Sequence, residues 1–351
     1  MEILNNSAET RMTPSSLESI NWEKAGFGQL HTDHMFVCPY SEGAWGRAEI
    51  IPFGPLSLSP MALALHYGQT IFEGMKAFRM LNGRINLFRP EDHFSRMMHS
   101  AGRMCIPVMP RKIFMEGLTA LLSADGNWIP ERPGSIYIRP MIIATESRLG
   151  VKISDEFSFL ILLSPVGPYY RKSLSVRVET EFVRAAKGGT GFAKCGGNYG
   201  AAFYPAKLAQ EQGFDQLIWT DARENRWIEE SGTMNIFFVI NKVLVTPALT
   251  DSIISGITRN SFLVLAKDLG IPVEERPLCV EELQSLLEKG SVSEAFGSGT
   301  AAVASPIHRI GIHGSDYSLR EEFPVANLLS SQLEDIRFGK SNDVHRWNYV
   351  L

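Results

Sequence analysis

The stretch Lys187-Gly-Gly-Thr-Gly-Phe-Ala-Lys-Cys-Gly-Gly-Asn-Tyr-Gly200 contains six glycines in fourteen residues. So many glycines indicate tight turns, or backbone that a ligand approaches closely. No Gly-Lys-Ser/Thr follows at the spacing of a Walker A loop. Lys194 lies among the glycines, beside Phe192 and Ala193, where lost solvation would favour the neutral amine, a usable nucleophile for a Schiff base. On spacing alone, the pattern favours an ordinary surface lysine in a flexible loop over a nucleophilic one.

On either side of this stretch, apolar runs alternate between strand and helix patterns. Strands are predicted at 34–38, 49–52, 84–88, 135–145, 156–163, 174–180, 216–220, 236–240, 243–246 and 292–296. Helices are predicted from Pro90 onward and at 110–123, 200–213, 257–269 and 280–289. Residues 165–175 contain two prolines and a glycine without periodicity, which predicts an interdomain loop between domains 1–164 and 176–351. The class is therefore α/β or α+β.

Composition narrows the classes of partner. The 351 residues are 44% hydrophobic and 21% charged, as in a globular protein with two domains. With a net charge of -4, there is no sign of a nucleic-acid surface or a polybasic membrane signal. The four cysteines form no CxxC pair, so neither a disulfide framework nor a metal site is expected. The N-terminus has no basic start followed by an apolar core, and we expect a cytoplasmic protein.

Further polar groups carry candidate chemistry. Lys76 is a second lysine that could form a Schiff base. Glu230, just before an apolar run, could hold a positively charged ring nitrogen, although a solvated turn residue is the alternative and Glu229 could be either. The segment Ser255-Gly-Ile-Thr-Arg259 begins a helix, whose free N–H groups would bind a phosphate or simply be capped.

Two strand ends offer binding groups as well. Gly297, Gly299 and Ala302 match the dinucleotide pattern G-x-G-x-x-A. Pro306, however, would interrupt the crossover helix that this pattern requires, which leaves an anion-binding turn as the simpler interpretation. Arg139 shares a strand face with Tyr137 and would bind a carboxylate, or serve as an ion-pair partner.

Taken together, seven segments resemble the branched-chain aminotransferases, pyridoxal-phosphate (PLP) enzymes of the class IV, fold-type IV group. They are LHYGQTIFEGMKAF, LFRPEDHFSRM, YIRPMII, FAKCGGNYG, EESGTMNIF, SGITRNSFL and EAFGSGTAA, in the family's order. The resemblance implies a smaller N-terminal α/β domain and a larger C-terminal domain with a β-barrel-like core. It also implies reversible amino transfer between leucine, isoleucine or valine and 2-oxoglutarate by a ping-pong mechanism. The alternatives are a D-amino-acid aminotransferase, an aminodeoxychorismate lyase or, more distantly, an NAD(P)-dependent oxidoreductase.

The resemblance also implies roles at the cofactor. Lys194 would form the Schiff base with PLP and act as the catalytic base. Glu230 would keep the pyridine nitrogen protonated, Tyr199 would bind the phenolic oxygen, and Arg96 would bind the 5′-phosphate. The remaining cofactor-binding residues would be Ile257, Thr258, Thr233 and Thr300.

Substrate contacts follow from the same resemblance. The substrate carboxylate would meet Thr300, Ala301, Tyr67 and Arg139. The aliphatic pocket would be walled by Phe72 and Tyr137. Leu149 and Val151 would reach into the site of a partner subunit, which implies a homodimer. Tyr169 would lie on a mobile interdomain loop near the entrance.

Overall fold

The chain folds into two compact units. This computed structural model describes residues 9–19, 27–167 and 172–351. The first unit contains the described residues of Met1–Tyr169, together with Cys195–Gly197 and Arg337–Leu351. The second contains the described residues of Tyr170–Lys194 and Asn198–Ile336.

The described residues form strands and helices as follows. The strands are β1 Glu9–Thr10, β2 His34–Ser41, β3 Ala44–Trp45, β4 Glu49–Pro52, β5 Thr70–Phe72, β6 Met75–Arg79, β7 Ile85–Phe88, β8 Ser135–Ala144, β9 Phe157–Val166, β10 Leu174–Glu179, β11 Gln216–Thr220, β12 Ile228–Ser231, β13 Met234–Ile240, β14 Val243–Thr246, β15 Val273–Glu275, β16 Val292–Gly299, β17 Val303–Ile312, β18 Ser315–Ser318 and β19 Asn348–Val350. The α-helices are α1 Leu63–Tyr67, α2 Pro90–Arg103, α3 Arg111–Ala124, α4 Gly197–Glu211, α5 Ile257–Asp268, α6 Val280–Glu288 and α7 Pro324–Arg337. Short 3-10 turns occur at Leu17–Ser19 and Gly126–Trp128.

The first unit is built on a ten-stranded sheet in the order β1-β4-β2-β9-β8-β6-β7-β19, with β3 beside β2 and β5 beside β8. Helix α3 buries Phe114, Leu118 and Leu121 in the core of this unit. Phe159 of β9 is fully buried and its ring packs against those of Phe36 and Phe114. The last strand, β19, pairs with β7, which brings the end of the chain back to this unit.

Helix α2 begins at the predicted residue, where proline and acidic side chains favour a helix start. Pro90 occupies its first turn, with acidic residues Glu91 and Asp92 beside it. The apolar spacing after Pro90 predicts a buried stripe that includes Met97, Ala101 and Cys105. Met97 and Ala101 are buried, but Cys105 is exposed. The prediction for Cys105 is wrong because the helix has ended and this residue adopts a left-handed φ of 53°.

The second unit contains a closed six-stranded barrel. Its strands follow the order β12-β11-β10-β17-β16-β13, and pairing between β12 and β13 closes the ring. Strands β13 and β14 form a hairpin, in which Asn241 and Lys242 both have positive φ, as a tight two-residue turn requires. The expected barrel-like core is therefore confirmed.

The dinucleotide interpretation of the segment from Gly297 to Ala302 is wrong. Strands β16 and β17 are antiparallel, and Gly299 pairs with Val303 across a short turn. A dinucleotide-binding unit needs a helical crossover to a parallel strand, which this hairpin cannot supply. Pro306 fits within β17 because it pairs with Phe296 on one side, whereas pairing with β10 on the other side begins only at Ile307.

We predict that Phe159→Ala lowers the free energy of unfolding by about 3–5 kcal/mol, because it leaves a cavity in the first unit's core. Val108→Ala is the control, since that side chain is 77% exposed, and should change stability by no more than about 0.5 kcal/mol. Denaturant titration of both variants measures the difference. Equal losses would contradict the placement of Phe159 in the core.

Candidate active site

The turn before Lys194 is stabilised by hydrogen bonds of the buried Asn198 side chain. Asn198 accepts a hydrogen bond from Thr190 Oγ1 at 2.6 Å and donates to the carbonyl oxygens of Thr190 and Ala193 at 2.9 and 2.7 Å. Lys194 itself is half-buried, and its Nζ donates to Tyr199 Oη at 3.2 Å. The glycines thus allow a compact turn, and the amine is held next to a phenol.

Glu230 lies on β12 and is almost fully buried. Its Oε1 accepts hydrogen bonds from the backbone N–H of Ile254 at 2.7 Å and from Asn235 Nδ2 at 3.3 Å. Arg184 Nε lies 3.2 Å from Glu230 Oε2, and both side chains are buried. The surroundings of Glu230 therefore favour an ionised carboxylate. Sequence reasoning missed Arg184, which is separated from its partner by 46 positions (230 − 184) and carries no local signal.

The carboxyl group of Glu229 has different surroundings from that of its neighbour, Glu230. Its Oε1 accepts a short hydrogen bond from Ser252 Oγ, and its Oε2 is buried without a hydrogen-bond partner among the described residues. Burial raises the pKa of the Glu229 carboxyl above its ordinary value, and the hydrogen bond from Ser252 and the charge of Arg184 only partly oppose this. Within the part of the chain that the structure describes, Glu230 is the one of these two consecutive acids that forms an ion pair with an arginine.

The second unit contains two turns suited to anions. Helix α5 begins at Ile257, and its N-cap residue, Gly256, has no side chain with which to cap the first turn. A Cβ at Gly256 would fall on Asn235 Oδ1, which restricts this position to glycine. Ile257 and Thr258 are buried at the positive end of the helix. The other turn joins β16 to β17, where Thr300 and Ala301 are half-buried.

In the first unit, Arg96 of α2 is held by a buried carboxylate. Its Nε and Nη2 donate to the two oxygens of Glu73, each at 2.7 Å, and His93 Nδ1 lies 2.7 Å from Glu73 Oε2. Burial alone would raise the pKa of Glu73. The charge and hydrogen bonds of Arg96 outweigh burial and hold that pKa well below its usual range. Sequence reasoning identified Arg96 but missed Glu73 and His93.

Arg139 lies between two aromatic rings of the same unit. Its Cζ is 4.6 Å from the centroid of Phe72 and 5.3 Å from that of Tyr137, and Nη2 donates to Tyr137 Oη at 3.0 Å. A Cβ at Gly74 would fall on the Tyr137 hydroxyl, so this close approach requires glycine. Phe27 packs edge-on against Tyr137 with ring centroids 5.0 Å apart. Sequence reasoning missed Phe27, since a single aromatic residue in a polar segment shows no periodicity.

The other predicted residues are distributed as follows. Tyr67 donates a short hydrogen bond to the carbonyl oxygen of Leu149. Leu149 and Val151 are 60% and 79% exposed, and Thr233 is exposed in the turn between β12 and β13. Lys76 is buried on β6. Tyr169 lies outside the described residues.

Comparison with known proteins assigns the family. The model of amino-transferase class IV matches residues 70–310. Branched-chain-amino-acid transaminase 1 of Bacillus subtilis is 44% identical over 92% of this chain and 93% of its own length. The chain belongs to the class IV aminotransferases. A second relative of this class IV aminotransferase, the branched-chain-amino-acid aminotransferase of Mycolicibacterium smegmatis, is 42% identical over 97% of this chain and 96% of its own length.

Solved structures agree with this family. The branched-chain amino acid aminotransferase of Escherichia coli is 27% identical, with a TM-score of 0.75 over 90% of this chain and 98% of its own. The branched-chain aminotransferase of Thermoproteus uzoniensis, solved with norvaline, is 26% identical, with a TM-score of 0.74 over 90% of this chain and 99% of its own. The expected fold of this class IV aminotransferase and the resemblance drawn from the seven segments are confirmed. Within the described part of the chain, no helix has the length and apolar character needed to span a membrane.

We predict that Glu229→Gln gains stability relative to the unchanged protein as the pH rises. The folded-state pKa of Glu229 is raised above its ordinary 4.5, so the folded protein holds the proton that the unfolded chain loses, and stability falls as the pH rises above 4.5. Glutamine keeps the acceptor for Ser252 but cannot ionise. Urea titrations at a series of pH values measure the difference.

Glu281→Gln is the control for this experiment. A hydrogen bond from its own backbone N–H, followed by one from Arg226, lowers the pKa of the exposed Glu281. The stability difference should therefore change with pH in the opposite direction. A Glu229→Gln difference that does not vary with pH would contradict the buried, proton-retaining state of Glu229.

Proposed function

We propose that this protein is a PLP-dependent branched-chain-amino-acid aminotransferase. It would transfer amino groups reversibly between leucine, isoleucine or valine and 2-oxoglutarate. The observation that carries the proposal is the Lys194 amine, presented by a fastened glycine-rich turn and 3.2 Å from Tyr199 Oη. The names of relatives that are 42–45% identical over most of the chain support the same activity.

We propose the predicted cofactor residues for PLP, and the donor set fits such a group. Helix α5 has glycine as its N-cap residue, which would let a phosphate approach the backbone N–H groups of the helix start. Among the described residues, Ser231 Oγ and Ser298 Oγ are buried hydroxyls without a hydrogen-bond partner. Glu230 has surroundings that favour its ionised form. The residues that would hold the group are Lys194, Tyr199, Glu230, Arg96, Ile257, Thr258, Thr233 and Thr300.

The chain's own residues would divide the work between binding and proton transfer. Bound PLP supplies an aldehyde carbon that takes up an amino group and a ring that withdraws electrons from the substrate Cα. Lys194 Nζ, as a free amine, would remove the Cα proton, and its hydrogen bond to Tyr199 Oη would orient it. Glu230 would keep a proton on the ring nitrogen through its ionised carboxylate.

Substrate binding would use groups from the predicted pocket. The carboxylate would be bound by Arg139, Tyr67 and the backbone N–H groups of Thr300 and Ala301, with Tyr169 near the entrance. Phe72 and Tyr137 would wall the aliphatic side chain. The geometry around Arg139 supports this proposal, because its Nε is buried without a hydrogen-bond partner among the described residues. Such a donor favours a bound acceptor.

We also propose a cytoplasmic homodimer with two domains. Hydrogen bonds from Leu63 N to Glu146 O and from Arg148 N to Met61 O join α1 to the segment 146–153. The resulting surface exposes the apolar side chains of Leu65, Leu149, Val151 and Ile153. An apolar surface of this kind is typical of a protein interface. The boundary between the predicted domains 1–164 and 176–351 would lie within residues 165–175. The C-terminal strand β19 is an exception, since it pairs with β7 of the first unit.

We predict that Lys194→Ala abolishes covalent attachment of PLP and lowers leucine transamination by about 10²–10⁴-fold, the contribution of a positioned general base. The visible spectrum with and without L-leucine, and mass spectrometry after borohydride reduction, measure the two effects. Lys187→Ala is the matched control, since this exposed lysine lies in the same glycine-rich segment. Borohydride labelling of Lys76 instead of Lys194 would overturn the assignment, and turnover of D- rather than L-leucine would favour another class IV enzyme.

We predict that analytical ultracentrifugation of the 351-residue chain gives a mass twice its own 39.1 kDa, and that Val151→Asp shifts this mass towards that of the monomer. The reason is that a buried, unpaired carboxylate at an apolar interface is costly. Val108→Asp is the matched control, because Val108 is also an exposed valine of the first unit, at 77% against 79% for Val151. If Val151→Asp and Val108→Asp have the same mass, the dimer surface lies elsewhere.

A further inference from the structure

We propose that Glu73 and His93 are positioning residues for phosphate recognition, because together they fix the direction of the Arg96 guanidinium. The inference rests on the proposed function, in which Arg96 binds the phosphate of the cofactor. Glu73 would act through Arg96 without touching the ligand, and His93 would act through Glu73.

The contact between Glu73 and Arg96 is a two-point fork. Nε and Nη2 of Arg96 each donate at 2.7 Å to a different oxygen of the same carboxylate. A fork of this kind sets the plane of the guanidinium as well as its position, because both groups are planar. The edge of the guanidinium that carries Nε and Nη2 is therefore held by Glu73. The Arg96 side chain is 12% exposed.

Glu73 is itself immobilised by the strand geometry. Its backbone N–H donates to Pro140 O at 2.8 Å, and the N–H of Gly74 donates to its Oε2 at 3.2 Å. These two residues lie between β5 and β6, which pair with β8 on either side of Pro140. The carboxylate is fully buried, so water does not compete for the fork.

His93 contributes the remaining side-chain contact to Glu73. It lies three residues before Arg96 on α2, which places both side chains on the same side of the helix. Burial lowers the pKa of His93, although its hydrogen bond to Glu73 opposes this. A carboxylate oxygen accepts hydrogen bonds, so Nδ1 is the donor to Glu73 Oε2.

A purely stabilising role explains this cluster less well. Buried ion pairs lose solvation and often contribute little to stability, whereas they do fix geometry. Arg111 and Glu91, on the surface of the same unit, form a similar fork with both side chains about half-exposed. Water surrounds that second fork, so it cannot hold a guanidinium in one direction. The Arg111–Glu91 pair therefore provides a matched control with the same chemistry.

The test compares the binding of PLP with that of pyridoxal, which lacks the phosphate, to the full-length protein freed of cofactor. We expect Glu73→Gln to weaken PLP binding about tenfold, which corresponds to loss of roughly one charged hydrogen bond, and to leave pyridoxal binding unchanged. Glu91→Gln should change neither affinity. Equal losses for both ligands, or no loss for either, would overturn the proposal.

His93 variants keep the test decisive if Glu73→Gln does not fold. His93→Phe removes the donor and should weaken only PLP binding, while His93→Asn restores a donor near Nδ1 and should recover the affinity. Failure of Asn to differ from Phe would count against the positioning role. Arg96→Lys distinguishes a failure of the positioning role from a failure of the proposed function. If it causes no phosphate-selective loss while Lys194 still binds PLP covalently, the proposed function stands and the positioning role falls.

Discussion

The pairing of Arg184 with the buried carboxylate of Glu230 is the contact on which the second unit's site depends. Arg184 Nε lies 3.2 Å from Glu230 Oε2, while Nη2 donates to the carbonyl oxygens of Ser252 and Gly191. One guanidinium thus ties together the strand that carries the acid, the loop before α5 and the glycine-rich turn before Lys194. A buried acid without such a partner would take up a proton, as the raised pKa of Glu229 indicates. The contact between Arg184 and Glu230 therefore favours the ionised form of Glu230 and also fixes the distances between these three segments.

A comparable constraint acts in the first unit, at the gap between β5 and β6 opposite Pro140 of β8. Pro140 lies inside β8 and has no N–H to donate. Its carbonyl oxygen accepts the N–H of Glu73, at the point where β5 ends and before β6 begins. At this gap the Glu73 carboxylate contacts Arg96, and the next residue is Gly74, whose lack of a Cβ makes room for the Tyr137 hydroxyl. The same short gap thus connects the arginine proposed for the phosphate with the proposed wall of the substrate pocket.

Local patterns in the sequence predicted most elements, and the failures have identifiable causes. Strand β11 has the predicted limits, and α5 has the predicted start, because apolar periodicity marks them. Strand β17 was missed because Pro306 argues against a central strand unless the register on each side is known. The lysine and acid of the candidate site stand in recognisable segments. Glu73 also lies in one of the seven segments, but nothing in that segment singles it out, and Arg184 lies in none of them. Their roles arise from contacts between distant positions, which no local pattern records.

The segment from Gly297 to Ala302 shows why a motif needs its structural context. Its letters fit both a dinucleotide-binding loop and a hairpin turn, since both use small residues to bring backbone N–H groups close to an anion. The antiparallel register of Gly299 with Val303 decides for the hairpin. The donor chemistry common to both interpretations nevertheless remains, because Thr300 and Ala301 still occupy the turn. Such a motif therefore predicts that the ligand is an anion. The strands that follow the motif decide whether that anion can be a dinucleotide.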